Sequence, residues 1–564
     1  MEKRIIECVP NFSEGRNRQT IKAITDAITS VKGIRLLDVD AGEATNRTVV
    51  TFVGEPEAVC EAAFRGVRRA AELIDMNLHH GAHPRMGATD VLPLIPVSGV
   101  TLEECAEMAR KLGKRIADEL YIPVYCYEAA AFTPERRNLA VCRRGEYEAL
   151  PERMGGDDAP DFGNRVFDER AARTGATAVG ARDFLIAVNF NLNTTSTRRA
   201  NAIAFDVREK GRPKREGGKP NGKPLKDADG NIIMLPGTLK GTKAIGWYID
   251  EYGIAQVSMN ITDINVTPLH VAFDEVCRAA AARGIRVTGT EIVGLVPKRA
   301  IIDAGKYFLH KQQRSSGLPE HEIIRMAIKS MGLDELAPFN ADEKIIEYLI
   351  ADHSGKKLVD LTCRGFAEET ASESPAPGGG SISAYMGALA AALGTMVANL
   401  SSHKAGWDDR WEYFSNYAEG GQMLMDRLLD LVDEDTAAFN SIMAAIQMPK
   451  GSEHERAARD RAMEAATLNA TQVPLLTMQA AYEAFDICEA MANEGNPASV
   501  SDAGVGVLAA RAAVLGAGLN VRINAAGLKD RKRADELVAK ANALVEKANA
   551  REAEIMAIVN GKLG

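Results

Sequence analysis

Over the first 350 or so residues, short apolar runs bounded by turn residues alternate with apolar positions spaced three and four apart. The runs predict strands at Arg4–Val9, Ile34–Val39, Asn46–Val53 and Ile122–Tyr127, with an apolar extended segment over Asp90–Pro96. The wider spacing predicts helices at Asn17–Ser30, Glu55–Asp75 and Thr101–Leu120. The last helix opens on a capping box, Thr101 with Glu104, in which each side chain satisfies the other's free backbone N–H. The order begins β-α-β-β-α-β, which predicts a split βαβ arrangement with helices on one face of a sheet. It then recurs. Strands are predicted at Phe184–Asn189, Ala244–Ile249, Ala255–Ile261 and Ile285–Val293, and helices at Ser196–Arg208 and Thr267–Ala282. Pattern rather than residue identity relates the two halves, and a cleft between two such sheets is a natural place for a substrate.

After Gly355 the strand signals vanish. Alanine-rich helical periodicity covers Lys357–Thr370, Ser381–Ser402, Tyr413–Met448, Glu453–Asn493, Val500–Leu519 and Asp530–Met556. The expected fold is therefore multidomain: an α+β region of two β-α-β-β-α-β-like subdomains (1–180 and 181–350), a linker at 351–356, and an all-α helical bundle at 357–564. Two segments interrupt the regular pattern. Asp157–Gly180, rich in glycine and aspartate, reads as a loop that wraps a ligand or as a plain connection. Residues 208–243 read as an exposed, mobile insertion. Its basic positions (Arg208, Lys210, Arg212, Lys214, Arg215, Lys219, Lys223 and Lys226) are either simply solvated or attract a multiply anionic ligand.

Composition narrows the class. The chain has 564 residues, 46% of them hydrophobic, which suits a sizeable core. A net charge of −9 argues against a general nucleic-acid binder. The eight cysteines are scattered and form no CxxC pair, so reduced thiols and a cytoplasmic location are expected. The amino-terminal residues show no signal-peptide h-region. The run Ile382–Leu400 carries no charge and nearly reaches membrane-spanning length. It is dominated by alanine, glycine, serine and threonine, so the expectation is a helix packed tightly in a bundle, with no membrane.

Three stretches carry candidate chemistry. His79-His80-Gly81-Ala82-His83-Pro84-Arg85 holds three of the nine histidines in a loop fixed by Gly81 and Pro84. An imidazole beside an arginine in a rigid loop suits proton transfer near neutral pH, although a histidine cluster can equally cap a core. The helical i, i+4 pair of zinc hydrolases is missing and no cysteine lies nearby, so no metal is expected. Gly378-Gly379-Gly380-Ser381 opens a helix, where free N–H groups and the helix dipole favour an anion; the glycines would also simply permit tight helix entry. Asp435 borders the apolar stripe of its helix, where its carboxyl can have a raised pKa and act as an acid, or it is an ordinary solvated charge.

With these residues in view, the whole chain resembles the formimidoyltransferase-cyclodeaminase family. The resemblance is carried by Glu7–Gly15, Leu37–Gly42 with Thr45–Thr48, Gly81–Gly87, Gly145–Leu150, Ala159–Gly163, Gly175–Thr177, Gly180–Arg182, Gly246–Tyr248, Val293–Pro297, Ala376–Ser381, and Val432, Asp433 and Asp435. It implies a bifunctional folate enzyme of histidine degradation. Such an enzyme transfers the formimidoyl group from N-formimidoyl-L-glutamate to N5 of tetrahydrofolate and then closes the ring to 5,10-methenyltetrahydrofolate with loss of ammonia. It further implies His83 as the transferase histidine, Gly163–Gly175 with Thr177 as folate-binding and Asp435 as the cyclodeaminase proton donor, and Gly378–Ser381 is a candidate to bind substrate through its helix-start N–H groups. Beside these, Asp40 is a candidate to orient His83, and Arg47 and Arg85 are candidates for substrate carboxylates. The implied partners are small molecules and further copies of the chain. Tetrahydrofolate polyglutamate is the implied co-substrate, with no tightly bound cofactor. Two alternatives stand: a helical domain that is a methenyltetrahydrofolate cyclohydrolase, and a non-catalytic folate-binding scaffold.

Overall fold

The computed structural model describes residues 4–43, 46–81, 85–219, 221–351, 357–374 and 376–564. Its contacts divide the chain into two compact units, Met1–Asp303 with Met331–Ala351, and Ala304–Ser330 with Asp352–Gly564.

The first unit holds two sheets. The larger is built from β1 (Ile5–Cys8), β2 (Asn11–Phe12), β3 (Arg35–Gly42), β4 (Arg47–Gly54), β5 (Thr89–Ser98), β6 (Val124–Glu128) and β7 (Thr177–Ala181). β1 and β2 lie one after the other between β4 and β5, both antiparallel to them, while β3 pairs with β4 at the edge. β7 inserts between β5 and β6 and is parallel to both. One face is covered by the helices Arg18–Thr29, Pro56–Leu73 and Leu102–Leu120, whose Ile24, Val67 and Ile116 pack with Ile6, Cys8 and Phe52 of the sheet. The expected capping box at Thr101 and Glu104 is present.

β7 corrects the reading of Asp157–Gly180 as a loop, since that stretch also contains the helix Glu169–Thr174. The strand Thr-Ala-Val-Gly-Ala carries little β propensity. Its small residues are set by packing: a Cβ on Gly180 would lie 2.6 Å from the Tyr127 ring of β6.

The second sheet of this unit is antiparallel, built from β8 (Ile186–Leu192), β9 and β10 lying apart from it as a small hairpin (Arg212–Pro213 and Met234–Leu235), then β11 (Thr242–Ile249), β12 (Ile254–Ile261) and β13 (Val287–Val293). The four long strands run in the order β11-β12-β8-β13. The helix Thr197–Val207 presses directly on it: a Cβ on Gly246 would sit 2.2 Å from the Asn201 backbone nitrogen. The β9–β10 hairpin also revises residues 208–243. Arg208 donates to the Gly211 and Ala244 carbonyls, Arg212 to Ala202 and Arg215 to Gly222. Three of its basic side chains thus hold the segment to itself and to the neighbouring helix and strand.

The second unit is helical: Gly379–Ser402, Trp411–Gln447, Glu453–Glu494, Val500–Ala525 and Arg531–Leu563, with the shorter Cys363–Thr370. Small residues let the helix axes approach. Gly387 faces Leu428 and Ala481, and Gly394 faces Ile487 and Cys488, at separations that a side chain would fill. Gly379–Ser402 and Pro497–Ala525 are both long and apolar enough to cross a bilayer, and 61% and 50% of their most apolar stretches are buried in the bundle.

The expected boundary at 351–356 is only part of the division, and residues 352–356 lie outside the described residues. Ala304–Ser330 groups with the bundle instead of with the second sheet. Its anchors are the Ser316 N–H on Ser415 Oγ (3.1 Å), Asn399 Nδ2 on the Gly317 carbonyl (2.8 Å) and Lys306 Nζ on Glu419 (3.1 Å).

Candidate active sites

Alternation along β1 and β2 sends Ile6, Cys8 and Phe12 into the helix-side core and leaves Glu7, Val9 and Asn11 on the opposite face. There they line a cleft of about 1020 Å³ within the first unit. β3 and β4 contribute Asp38, Asp40 and Arg47, the segment after β7 contributes Arg182, and the second sheet contributes Lys243, Asn260 and Val293. Both sheets therefore wall one cavity.

Two of its lining arginines, Arg47 and Arg143, are held from behind by Asp90, only 1% exposed. Asp90 Oδ2 accepts from Arg47 Nη1 (3.0 Å) and Arg143 Nη2 (2.6 Å), and Oδ1 accepts from the Met86 backbone N–H (2.9 Å). Arg47 also donates to Asn11 Oδ1. Burial pulls the Arg47 pKa down to about 10, against the opposing pull of Asp90. Two guanidinium groups gathered on one buried carboxylate, both lining the cleft, suit a carboxylate ligand. Arg143 carries no signal of its own in the sequence, because its partner lies 53 positions away.

The histidine loop is pinned at both ends. At its start, His79 Nε2 meets the Asn46 carbonyl (2.9 Å) and Asn46 Nδ2 donates to the His80 carbonyl (3.0 Å). Burial lowers the His79 pKa, which suits a structural imidazole. At its end, Met86 is bonded to Asp90, and Gly87 bridges to Gly175. His83 itself, with Ala82 and Pro84, lies outside the described residues.

The remaining expected residues separate. Asp40 lines the cleft, on β3 opposite Val49. Arg85 does not line it. Its fork is taken by Glu148, at 2.7 and 2.8 Å, with Glu146 at 3.6 Å, and these carboxylates hold its pKa above the ordinary value. Arg143 lines the cleft where Arg85 does not. Gly163 and Gly175 adopt positive φ (93° and 63°), and a Cβ on Gly175 would lie 2.2 Å from the Met86 carbonyl oxygen. Thr177 is buried, its N–H on the Pro123 carbonyl (2.9 Å). None of these three lines the cleft; Gly175 buttresses the histidine loop from behind.

The second unit carries a separate constellation. Asp435, on the helix Trp411–Gln447, lies against the start of Gly379–Ser402. Its Oδ2 accepts from Ser381 Oγ at 3.0 Å. A Cβ on Gly380 would come within 2.1 Å of its Oδ1, so only glycine allows the carboxyl this close to the helix end. Gly378 is the N-cap position and offers no side-chain cap. Burial raises the Asp435 pKa, and hydrogen bonds from the Ser381 side chain and backbone partly offset it. The structure thus brings Gly380 and Ser381 of the glycine-rich helix start together with Asp435, two candidates that the sequence reading had kept apart. Among the described residues no group of His, Cys, Asp or Glu side chains is arranged to hold a metal ion.

Comparison with known proteins covers both units. Residues 5–182 match the family "Formiminotransferase domain, N-terminal subdomain", 187–351 the "Formiminotransferase domain", and 362–543 "Formiminotransferase-cyclodeaminase". The chain is 42% identical over 558 residues to the formimidoyltransferase-cyclodeaminase of Gallus gallus, covering 99% of each. It is 41% identical to the glutamate formimidoyltransferase of Thermoplasma acidophilum, over 57% of this chain and 96% of that one. It is 36% identical to the methenyltetrahydrofolate cyclohydrolase of Methylorubrum extorquens, over 36% of this chain and 97% of that one.

Proposed function

Because this chain belongs to the formimidoyltransferase-cyclodeaminase family, we propose that its two reactions divide between its two units, with His83 serving the first and Asp435 the second. It is a bifunctional folate enzyme. It moves the formimidoyl group of N-formimidoyl-L-glutamate to N5 of tetrahydrofolate, then cyclises 5-formimidoyltetrahydrofolate to 5,10-methenyltetrahydrofolate and releases ammonia.

In the transfer, N5 attacks the amidine carbon. The tetrahedral adduct must lose the N5 proton and protonate the departing glutamate nitrogen. His83 performs both by taking one proton and returning it. Arg47 and Arg143 hold substrate carboxylates, which fixes the amidine carbon beside the pinned loop, and Asp40 orients the imidazole. In ring closure, N10 attacks the formimidoyl carbon and the C–NH₂ bond breaks. Protonated Asp435 donates to the leaving nitrogen and takes up the N10 proton, so the carboxyl returns to its starting state. The observation that carries this reading is the pair of sites: a cleft with clustered guanidinium groups in one unit, and in the other a half-buried acid at a bare helix start.

The match to a cyclohydrolase supports one second reading, in which the helical unit hydrolyses the methenyl compound instead of forming it. Supplying 5-formimidoyltetrahydrofolate and following ammonia together with methenyl absorbance separates them. Stoichiometric ammonia with rising absorbance is expected; consumption of supplied methenyltetrahydrofolate without ammonia release from the formimidoyl compound contradicts the proposal.

Tetrahydrofolate as its polyglutamate is the proposed co-substrate, with no tightly bound cofactor, in the cytoplasm, where the eight cysteines persist as free thiols. The assembly is proposed to be a homo-oligomer. Leu389, Met396 and Leu400 on one helix and Val505, Leu508, Leu519 and Ile523 on another are 39–72% exposed, and an apolar face of this kind favours a partner surface. A Leu519→Glu variant is expected to sediment as a smaller species than the parent at equal concentration. An unchanged sedimentation coefficient contradicts that surface.

A further inference from the structure

Glu7 is the one acid lining the cleft that is buried among the described residues, at 4% exposed. Several other acids of this unit have partners. Asp90 holds two arginines, Asp183 meets Arg299 and Asn265, and, on the second sheet, Glu291 accepts from Asn189 and Gln256. Glu7 has no ion pair among the described residues. Its strand neighbours at the same level, Val53 of β4 and Ile95 of β5, are apolar. The charges that reach it do so from a distance: Arg182 from the β7 side and Glu347 from the helix Ile346–Ile350. Tyr127 of β6, beside Arg182, and Asp38 of β3 line the same part of the cleft, while Cys8, next along its own strand, faces the core. A carboxyl buried without a partner is costly unless a ligand supplies the missing hydrogen bonds. Its planar acceptor pair matches one chemistry best, two parallel N–H donors on a rigid edge.

Both substrates contain such an edge: the formamidinium of N-formimidoyl-L-glutamate, and the N3–H with the 2-amino group of the pterin. Position separates them. Asn11, which holds Arg47, lies four residues along the sheet from Glu7, about 13 Å at the rise of an extended chain. An amidine whose glutamate carboxylates sit on Arg47 and Arg143 stays close to those arginines. The amino edge of the pterin lies on the far side of the ring from N5, pointing away from the amidine.

We propose that Glu7 binds the pterin of tetrahydrofolate, its carboxylate accepting from N3–H and the 2-amino group. The inference rests on the reading that the first unit binds tetrahydrofolate. Burial pushes the Glu7 carboxyl up to about 7, Arg182 opposing and Glu347 adding to the shift. The ionised form is the bidentate acceptor, so protons compete with the pterin below that pH.

The probe is 5-formyltetrahydrofolate, which keeps the pterin and does not react, titrated into the full-length protein across the pH range on either side of about 7. For the parent, Kd is expected to fall about tenfold per pH unit on the acid side and to level off above. Glu7→Gln is expected to bind at least about tenfold more weakly, with the pH slope gone, because an amide accepts one of the two bonds and sets an N–H against the other. The 2-desamino-2-methyl analogue of the probe, tested on the unaltered protein, is expected to show the same loss and the same flat profile, and it needs no variant to fold. An unchanged Kd and slope in the analogue arm overturns the proposal. So does a Glu7→Gln defect confined to KM for N-formimidoyl-L-glutamate, which would assign Glu7 to the amidine. If the unaltered protein did not bind the probe at any pH, the reading of the first unit itself would fail, a result distinct from pH-independent binding.

Discussion

Replacing His83 by alanine is expected to lower formimidoyl transfer by at least about a hundredfold while leaving ring closure at the parent rate. Positioned proton transfer contributes on the order of 10²–10⁴ to such reactions, and in the proposed mechanism two proton movements depend on one imidazole. With the substrate carboxylates on Arg47 and Arg143, as proposed, KM should change little and the loss should fall on kcat. Arg47 and Arg143 are held on Asp90, which argues against collapse of the cleft. Ring closure should be spared because its proposed acid, Asp435, sits in the other compact unit. Initial rates with N-formimidoyl-L-glutamate and with 5-formimidoyltetrahydrofolate, measured separately, check both halves. A His83→Ala protein with full transferase activity contradicts the assignment.

The chain reveals its local chemistry and conceals its long-range contacts. The capping box at Thr101, the second β-α-β-β-α-β pattern and the helical bundle are written in spacings of a few residues, and all stand in the structure. Gly380, Ser381 and Asp435 each stand out as candidates in their own segment, but their meeting across 54 positions, and the 2.1 Å approach that excludes any side chain at Gly380, are not visible there. Contacts across many residues are not legible. Arg85 looks available in the sequence, yet Glu148 arrives from 63 positions away to hold it. Asp90 is in plain view beside the histidine loop, but its role depends on Arg143, brought in by the segment after β6. The strand at Thr177–Ala181 is hidden because burial between β5 and β6 selects small residues over branched ones there. Glu7 stands in the sequence only as part of a motif; its significance lies in what surrounds it, which alternation alone does not specify.

Substituting Asp435 by asparagine is expected to reduce ring closure by at least about a hundredfold and to leave formimidoyl transfer intact. The amide is nearly isosteric, so it keeps the close contact with Gly380 and still accepts from Ser381 Oγ. What it loses is the transferable proton. Burial raises the Asp435 pKa above that of an ordinary aspartate, so the acid form persists to higher pH than usual. Activity that needs this form is therefore full below the raised pKa and declines as the pH climbs through it. The Asp435→Asn variant has no such limb, so its residual rate should not follow that decline. Ammonia release from 5-formimidoyltetrahydrofolate as a function of pH measures this, and a variant that keeps the parent rate and profile removes Asp435 from the mechanism.

The separation of the two sites is tested most directly by mixing the His83→Ala and Asp435→Asn proteins with N-formimidoyl-L-glutamate and tetrahydrofolate and recording methenyltetrahydrofolate absorbance. Each variant alone should form almost none, the second accumulating 5-formimidoyltetrahydrofolate. The mixture should restore product, because one protein supplies the intermediate that the other closes. Product from either variant alone at the parent rate, or none from the mixture while each retains its remaining half-reaction, would contradict two independent sites in one chain.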